Sequence, residues 1–284
     1  MLPGNVCPCG LEALTHIHTF HTPPQGETKF VNNDKYYREL WRCSYCGHYV
    51  SKHTMDLSSL YSGAYTEATY GSSARCRFET IINLPPEKSD NEGRVQRISR
   101  LAKQYLFNND VNSSLINILD VGSGLCVFLY RVYKVLGWHC VALDPDAAAV
   151  AHAQEVAGIH AVQGNFLQDD LDALELMKGQ NGRFDIITFN KVLEHVEDPV
   201  RMLSFAHKIL KEKGIVYIEV PDGEQAEKIT VNREEFFLEH WHAFSMNSVI
   251  FCAHKAHFLP LCVERISEPS GKRTLWAVLQ AAEF

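Results

Sequence analysis

The sequence predicts an α/β protein, doubly wound around a mostly parallel sheet, with a small metal-binding domain ahead of it. Three observations predict this. From about residue 94 onward, short apolar strands alternate with amphipathic helices, the pattern of a parallel sheet covered by helices. A glycine turn, Gly122-Ser123-Gly124, joins the first such strand to its helix. Two close cysteine pairs stand apart near the N-terminus.

The elements follow in order. Asp90 or Asn91 caps a helix that runs to about Phe107. Ile116–Val121 is a buried strand, and the helix after the glycine turn ends at Gly137. Cys140–Asp144 is the second strand. Asp146 caps the next helix and Gly158 closes it. His160–Val162 and Phe184–Phe189 are further strands. Asp198-Pro199 starts a helix whose apolar stripe is Met202, Leu203, Ala206, Ile209 and Leu210, with Gly214 as its stop. Ile215–Val220 is the next strand, cut off by Pro221. A helix around Ser248–His257 and strands at Leu261–Ile266 and Thr274–Leu279 complete the chain. Three parts result: a metal-binding module over residues 1–55, a Tyr-, Ser- and Gly-rich linker or lid over 56–93, and the α/β domain over 94–284.

Composition narrows the function. The 284 residues are 46% hydrophobic and 21% charged, ordinary for a globular protein. The formal net charge of −7 argues against a phosphate-backbone partner, so nucleic acid is not the expected substrate. No apolar run approaches the roughly 20 residues of a membrane span. The first residues lack the basic and apolar regions of a signal peptide, so a cytoplasmic location is expected.

The glycine turn carries the chemistry. Glycines there let the backbone approach a ligand, and the following helix presents unpaired N–H groups. Asp144 ends the next strand about 20 residues on, where a carboxylate can hold a ribose. Dinucleotides and S-adenosylmethionine (SAM) both use this geometry. The dinucleotide fingerprint needs a glycine where this chain has Val127.

Asp120-Val121-Gly122-Ser123-Gly124 resembles the first motif of class I SAM-dependent methyltransferases, with Cys126 where that family usually has a third glycine. The resemblance implies a Rossmann-like, seven-stranded sheet and a SAM site. Asp144-Pro145 matches the acid that holds the cofactor ribose. Asn165-Phe166 matches the pair beside adenine. Asn190-Lys191, at the head of Asn190-Lys191-Val192-Leu193-Glu194-His195-Val196, matches the segment flanking the methionine part. Tyr61 and Tyr65 would bind cofactor or substrate from a lid.

The protein must align an acceptor with the activated methyl and remove a proton. Glu239-His240-Trp241-His242-Ala243-Phe244-Ser245 resembles a segment of bacterial sugar and cell-surface-glycan methyltransferases, with Leu238 and Ala243 in place of the usual His and Tyr. His240 is the expected general base and His242 its alternative, with Glu239 and His195 beside the chemistry. The resemblance implies a hydroxyl, or a carbon, of a nucleotide-linked sugar or glycan as acceptor. A methyltransferase acting on another small molecule or natural product, or a non-catalytic zinc-containing binding protein with a relic SAM fold, is the alternative.

Cys7-Pro8-Cys9-Gly10 and Cys43-Ser44-Tyr45-Cys46-Gly47 form two knuckles suited to a structural, tetrahedral Zn²⁺. The first pair has a one-residue spacer, and His48 or His53 could replace a ligand. The other five cysteines read as small buried hydrophobes. The sequence leaves the oligomeric state open.

Overall fold

The computed structural model describes residues 7–27, 36–55, 74–106, 116–167 and 183–282. Its strands are β1 (Leu14–Phe20), β2 (Arg38–Cys43), β3 (Tyr49–Lys52), β4 (Asn117–Val121), β5 (His139–Asp144), β6 (His160–Gln163), β7 (Phe184–Asn190), β8 (Leu210–Pro221), β9 (His242–Ala243), β10 (Phe258–Ser267) and β11 (Arg273–Ala281). Its α-helices are α1 (Ala74–Ile82), α2 (Asp90–Tyr105), α3 (Val127–Leu136), α4 (Ala147–Glu155), α5 (Pro199–Ala206), α6 (Gly223–Glu227) and α7 (Met246–Lys255).

Seven strands form the expected Rossmann-like sheet, in the order β10-β11-β8-β7-β4-β5-β6. β4 pairs in parallel with β5 and β7, and β5 with β6. β10 and β11 form an antiparallel hairpin. All five residues of β4 are buried, as a strand flanked by parallel neighbours and covered on both faces must be. A second, four-stranded sheet has the order β1-β2-β3-β9, with antiparallel pairing throughout.

The chain divides into two compact units. One contains residues 1–60, 191–204 and 218–282. The other contains 61–190, 205–217 and 283–284.

Local chemistry explains the helix ends and corrects two expectations. The α2 cap is Ser89, whose hydroxyl accepts from Glu92 N at 3.2 Å, so Asp90 and Asn91 lie inside the helix. Asn91 instead donates its side-chain amide to Val127 O, tying α2 to α3. The α5 helix stops at Ala206. Lys208 and Ile209 donate to Phe205 O and Ala206 O, tightening the chain, and Ile209 O already accepts from Phe184 N. Leu210 therefore opens β8, and Gly214 lies within that strand instead of ending a helix. Asp146 caps α4 as expected, accepting from Ala148 N.

The first unit carries a buried ion pair. Arg38 is fully buried, lies over the Phe20 ring at 4.0 Å, donates to Phe236 O at 2.6 Å and stands 3.5 Å from Glu27. Glu27 accepts from Tyr36 and from Leu238 N, both at 2.7 Å. This cluster pins β2 to a segment nearly 200 residues away.

Removing one member of a buried pair leaves the other charge without its partner. Arg38→Met should lower the unfolding free energy by about 3 kcal/mol in urea denaturation near pH 7. Adding Glu27→Gln to that variant should recover part of the loss. An unchanged midpoint in the single variant would show that the pair does not hold this unit together.

Candidate functional site

The site begins where β4 turns into α3. Gly122 and Gly124 have φ values of 70° and 50°, and Cys126 has 58°. The backbone thus enters the left-handed region three times within five residues, which glycine tolerates and a side chain resists. Cys126 is fully buried and precedes the first residue of α3. Its positive φ explains the family preference for glycine at that position.

Asp144 locks this turn to the end of β5. One carboxylate oxygen accepts from Gly124 N at 2.9 Å and the other from Asp146 N at 3.0 Å. Burial raises its pKa. Asp120, at 3% exposure, accepts from Thr188 Oγ1 at 2.6 Å and from Asn190 Nδ2 at 2.8 Å. Burial pushes its pKa up to about 6 against these donors. Ser123 Oγ and Asn190 Oδ1 are buried with no hydrogen-bond partner. Two orphaned polar atoms beside a glycine turn and a pair of carboxylates form a cradle with hydrogen-bonding capacity to spare.

The other residues matched to a cofactor site are placed as follows. Pro145 is exposed and its carbonyl accepts from Gln163. Asn165 Oδ1 accepts from Leu167 N, which shapes the turn after β6. Phe166 is 2% exposed and packs edge-on against Phe189, 5.5 Å between centroids. In this structure it is a core residue. Lys191 adopts φ 61°, donates its backbone N–H to Glu219 O, and sends its ammonium to Thr274 Oγ1 at 2.6 Å. Tyr61 and Tyr65 lie outside the described residues.

The histidines separate into two groups. His195 and His240 meet edge-on, with ring centroids 4.8 Å apart. His195 Nδ1 donates to Glu239 O and His240 Nδ1 to Glu235 O, both at 3.0 Å. Burial lowers both pKa values, His240 well below the usual range, so both rings are neutral near pH 7. Glu194, at 1% exposure, belongs to the same cluster, and burial pushes its carboxyl up to about 7. The sequence contained Glu194 in plain view, and its position beside His195 was the available signal.

His242 is different. It is 1% exposed, and both ring nitrogens are engaged. Nε2 donates to Glu197 O at 3.2 Å, so Nδ1 is the acceptor for His48 Nε2 at 2.9 Å. His48 Nδ1 then faces Ser248 Oγ at 3.1 Å. This buried relay engages both ring nitrogens of His242. It also takes His48 out of the ligand set around the cysteines. His53 stacks on Trp241 at 4.4 Å and is absent from that set too.

The four expected cysteines converge. Cys7 and Cys46 sulfurs lie 3.1 Å apart, Cys9 and Cys7 3.3 Å, and Cys9 and Cys43 3.7 Å. A tetrahedron with metal–sulfur bonds of about 2.3 Å has edges of about 3.8 Å, close to these spacings. Gly10 and Gly47, at φ 78° and 77°, return their N–H groups to Cys7 O and Cys43 O. The one-residue spacer of the first pair therefore still makes a complete knuckle.

The raised pKa of Asp120 has a consequence for stability. The native protein holds a proton there that the unfolded chain gives up near the ordinary carboxylate pKa. Stability from this residue is present below about pH 4 and is lost as pH rises to about 6. Asp120→Asn should flatten the stability–pH profile across that window, by up to about 3 kcal/mol relative to the parent protein. Parallel profiles from denaturation at several pH values would overturn the assignment.

Comparisons with known proteins identify similar sequences and folds. The ubiquinone biosynthesis O-methyltransferase of Bartonella tribocorum is 32% identical over 120 residues, covering 39% of this chain and 45% of that protein. The enzyme of the same name from Rickettsia bellii is 26% identical over 148 residues, covering 50% and 59%. The chain thus spans about half the length of the curated relatives it matches. A similar solved structure is the Burkholderia thailandensis 1,6-didemethyltoxoflavin-N1-methyltransferase with bound 1,6-didemethyltoxoflavin and S-adenosylhomocysteine. It has a TM-score of 0.51 at 16% identity, covers 83% of this chain and 96% of that one, and shows a shared fold. A family model described as a methyltransferase domain matches residues 93–265, more than half of the sequence, and the chain belongs to that family.

Proposed function

We propose that the protein is a SAM-dependent methyltransferase that methylates a hydroxyl group. The cradle of Gly122, Ser123, Gly124 and Asp144 carries this reading. Its orphaned Ser123 Oγ and Asn190 Oδ1 and its buried acids fit a ligand with ribose hydroxyls and an amino-acid end. Asp144 would hold the ribose, with Pro145 beside it. Asp120, Asn190 and the backbone at Lys191 would flank the methionine part, and Asn165 and the backbone at Phe166 the adenine. Tyr61 and Tyr65 are proposed to close over the ligand.

SAM, when bound, supplies an activated methyl on a sulfonium. The chain's own task is to position an acceptor and accept its proton. His240 is proposed for the proton, with His195 and Glu239 supporting it. The Nδ1 bond of His240 to Glu235 O makes Nε2 the basic nitrogen, and its neutral state suits that task.

The relatives named as O-methyltransferases support oxygen as the acceptor. The Glu239-His240 segment, resembling sugar and glycan methyltransferases, supports a nucleotide-linked sugar or glycan as the molecule that carries it. We place the enzyme in the cytoplasm. Among the described residues no helix is long and apolar enough to cross a membrane, and no disulfide joins the cysteines.

Residues 1–55 are proposed as a module around a structural Zn²⁺ held by Cys7, Cys9, Cys43 and Cys46. Four protein thiolates fill the tetrahedron and leave no open position for catalysis.

Two measurements test these readings. Calorimetric titration with S-adenosylhomocysteine should show micromolar binding, weakened about 100-fold or more in a folded Asp144→Ala variant. No binding to folded protein would remove the methyltransferase reading, and binding would justify a screen of nucleotide-sugar acceptors. Chelation should release one zinc per chain, by metal analysis, and lower the thermal midpoint. Protein that carries no zinc when purified under reducing conditions would overturn the module.

A further inference from the structure

The cluster of Glu194, His195 and His240 contains more than a base. A carboxylate oxygen of Glu194 and one nitrogen from each ring lie within 4.8 Å of one another. Each ring has its Nδ1 proton held by a backbone carbonyl, which fixes the tautomer and makes Nε2 the lone-pair nitrogen. Ligating histidines are oriented in this way. Glu194 is 1% exposed, and its Oε2 is buried with no hydrogen-bond partner. A second carboxylate oxygen nearby, Glu239 Oε2, is also buried without one. Leaving two such oxygens unpaired is costly unless something cationic joins them.

We propose that Glu194, His195 and His240 bind a divalent first-row transition cation, distinct from the metal of the cysteine cluster. Two imidazoles and one carboxylate suit such ions and leave coordination positions open. The surrounding charge permits it. The carboxylates of Glu194, Glu219 and Glu239 act in this cluster against the ammonium groups of Lys191 and Lys272. With the cation bound, His240 Nε2 is a ligand and no longer the base, and an acceptor hydroxyl on an open position would instead lose its proton to solvent more readily. That role rests on the methyltransferase reading, and the binding itself does not.

Mn²⁺ separates this site from the cysteines, because it prefers nitrogen and oxygen over thiolate. The full chain would be titrated with Mn²⁺ by electron paramagnetic resonance, with S-adenosylhomocysteine binding measured in parallel. The expected result is about one Mn²⁺ per chain, weakened about 100-fold or more in both Glu194→Gln and His240→Gln. Circular dichroism and retained zinc would verify that each variant folds. Absence of Mn²⁺ binding to the folded parent, or equal binding in both folded variants, would overturn the site. Mn²⁺ binding without S-adenosylhomocysteine binding would sustain the cation site and remove the methyl-transfer role.

Discussion

The candidate cofactor cradle depends on two acidic side chains placed at the ends of adjacent strands. Asp120 ends its strand position inside the sheet and gathers donors from Thr188 and Asn190, on the neighbouring parallel strand. Asp144 reaches back to the glycine turn and holds Gly124 N in place. Burying a carboxylate is expensive unless its oxygens are satisfied, and here backbone and side-chain donors supply that satisfaction. Of the two acids, Asp144 takes backbone N–H groups from both the glycine turn and the start of the next helix, through Gly124 and Asp146.

The other unit is organised by neutral hydrogen bonds as well as charge. The Ser248–His48–His242–Glu197 relay is buried, and its direction is set by the carbonyl at its end, which can only accept. Ser245 caps α7 and also donates to Cys46 O, so the second cysteine knuckle and the α7 cap share one hydroxyl. The geometries of that cysteine pair and of the helix are thereby set together. The nearby His195 and His240 face Glu194, a buried carboxylate with an unpaired oxygen.

Much of this was readable from residue order. The parallel strands appear as apolar runs ending in Asp120, Asp144 and Asn190, because a strand covered on both faces must be apolar until it reaches the ligand edge. The convergence of the four cysteines was readable because close pairs of one residue type at such spacing mark a candidate metal site. The helix limits were harder. Asp90, Asn91 and Ser89 can all cap, and only the backbone settles on Ser89. The apolar stripe continued through Leu210 because Ile209 and Leu210 are buried in a strand instead of a helix, and hydropathy alone cannot tell these apart. The difference between His240 and His242 was hidden because it is decided by His48, 194 positions away.

The segments of the first unit are far apart along the chain. His48 must find Ser248, 200 positions later, and Tyr49 and Val50 must pair with Ala243 and His242. On a ribosome the early strands emerge long before these partners exist. At about 5–20 residues per second, the wait is on the order of ten seconds or more. During that interval the edge of β3 and the apolar residues Tyr49 and Val50 have no cover. The short connection between β2 and β3, and cysteines that can close on themselves within the first 46 residues, give the nascent segment a local structure of low contact order. The cysteine cluster would then act first as a holding device during synthesis and only afterwards as a fixture of the finished fold.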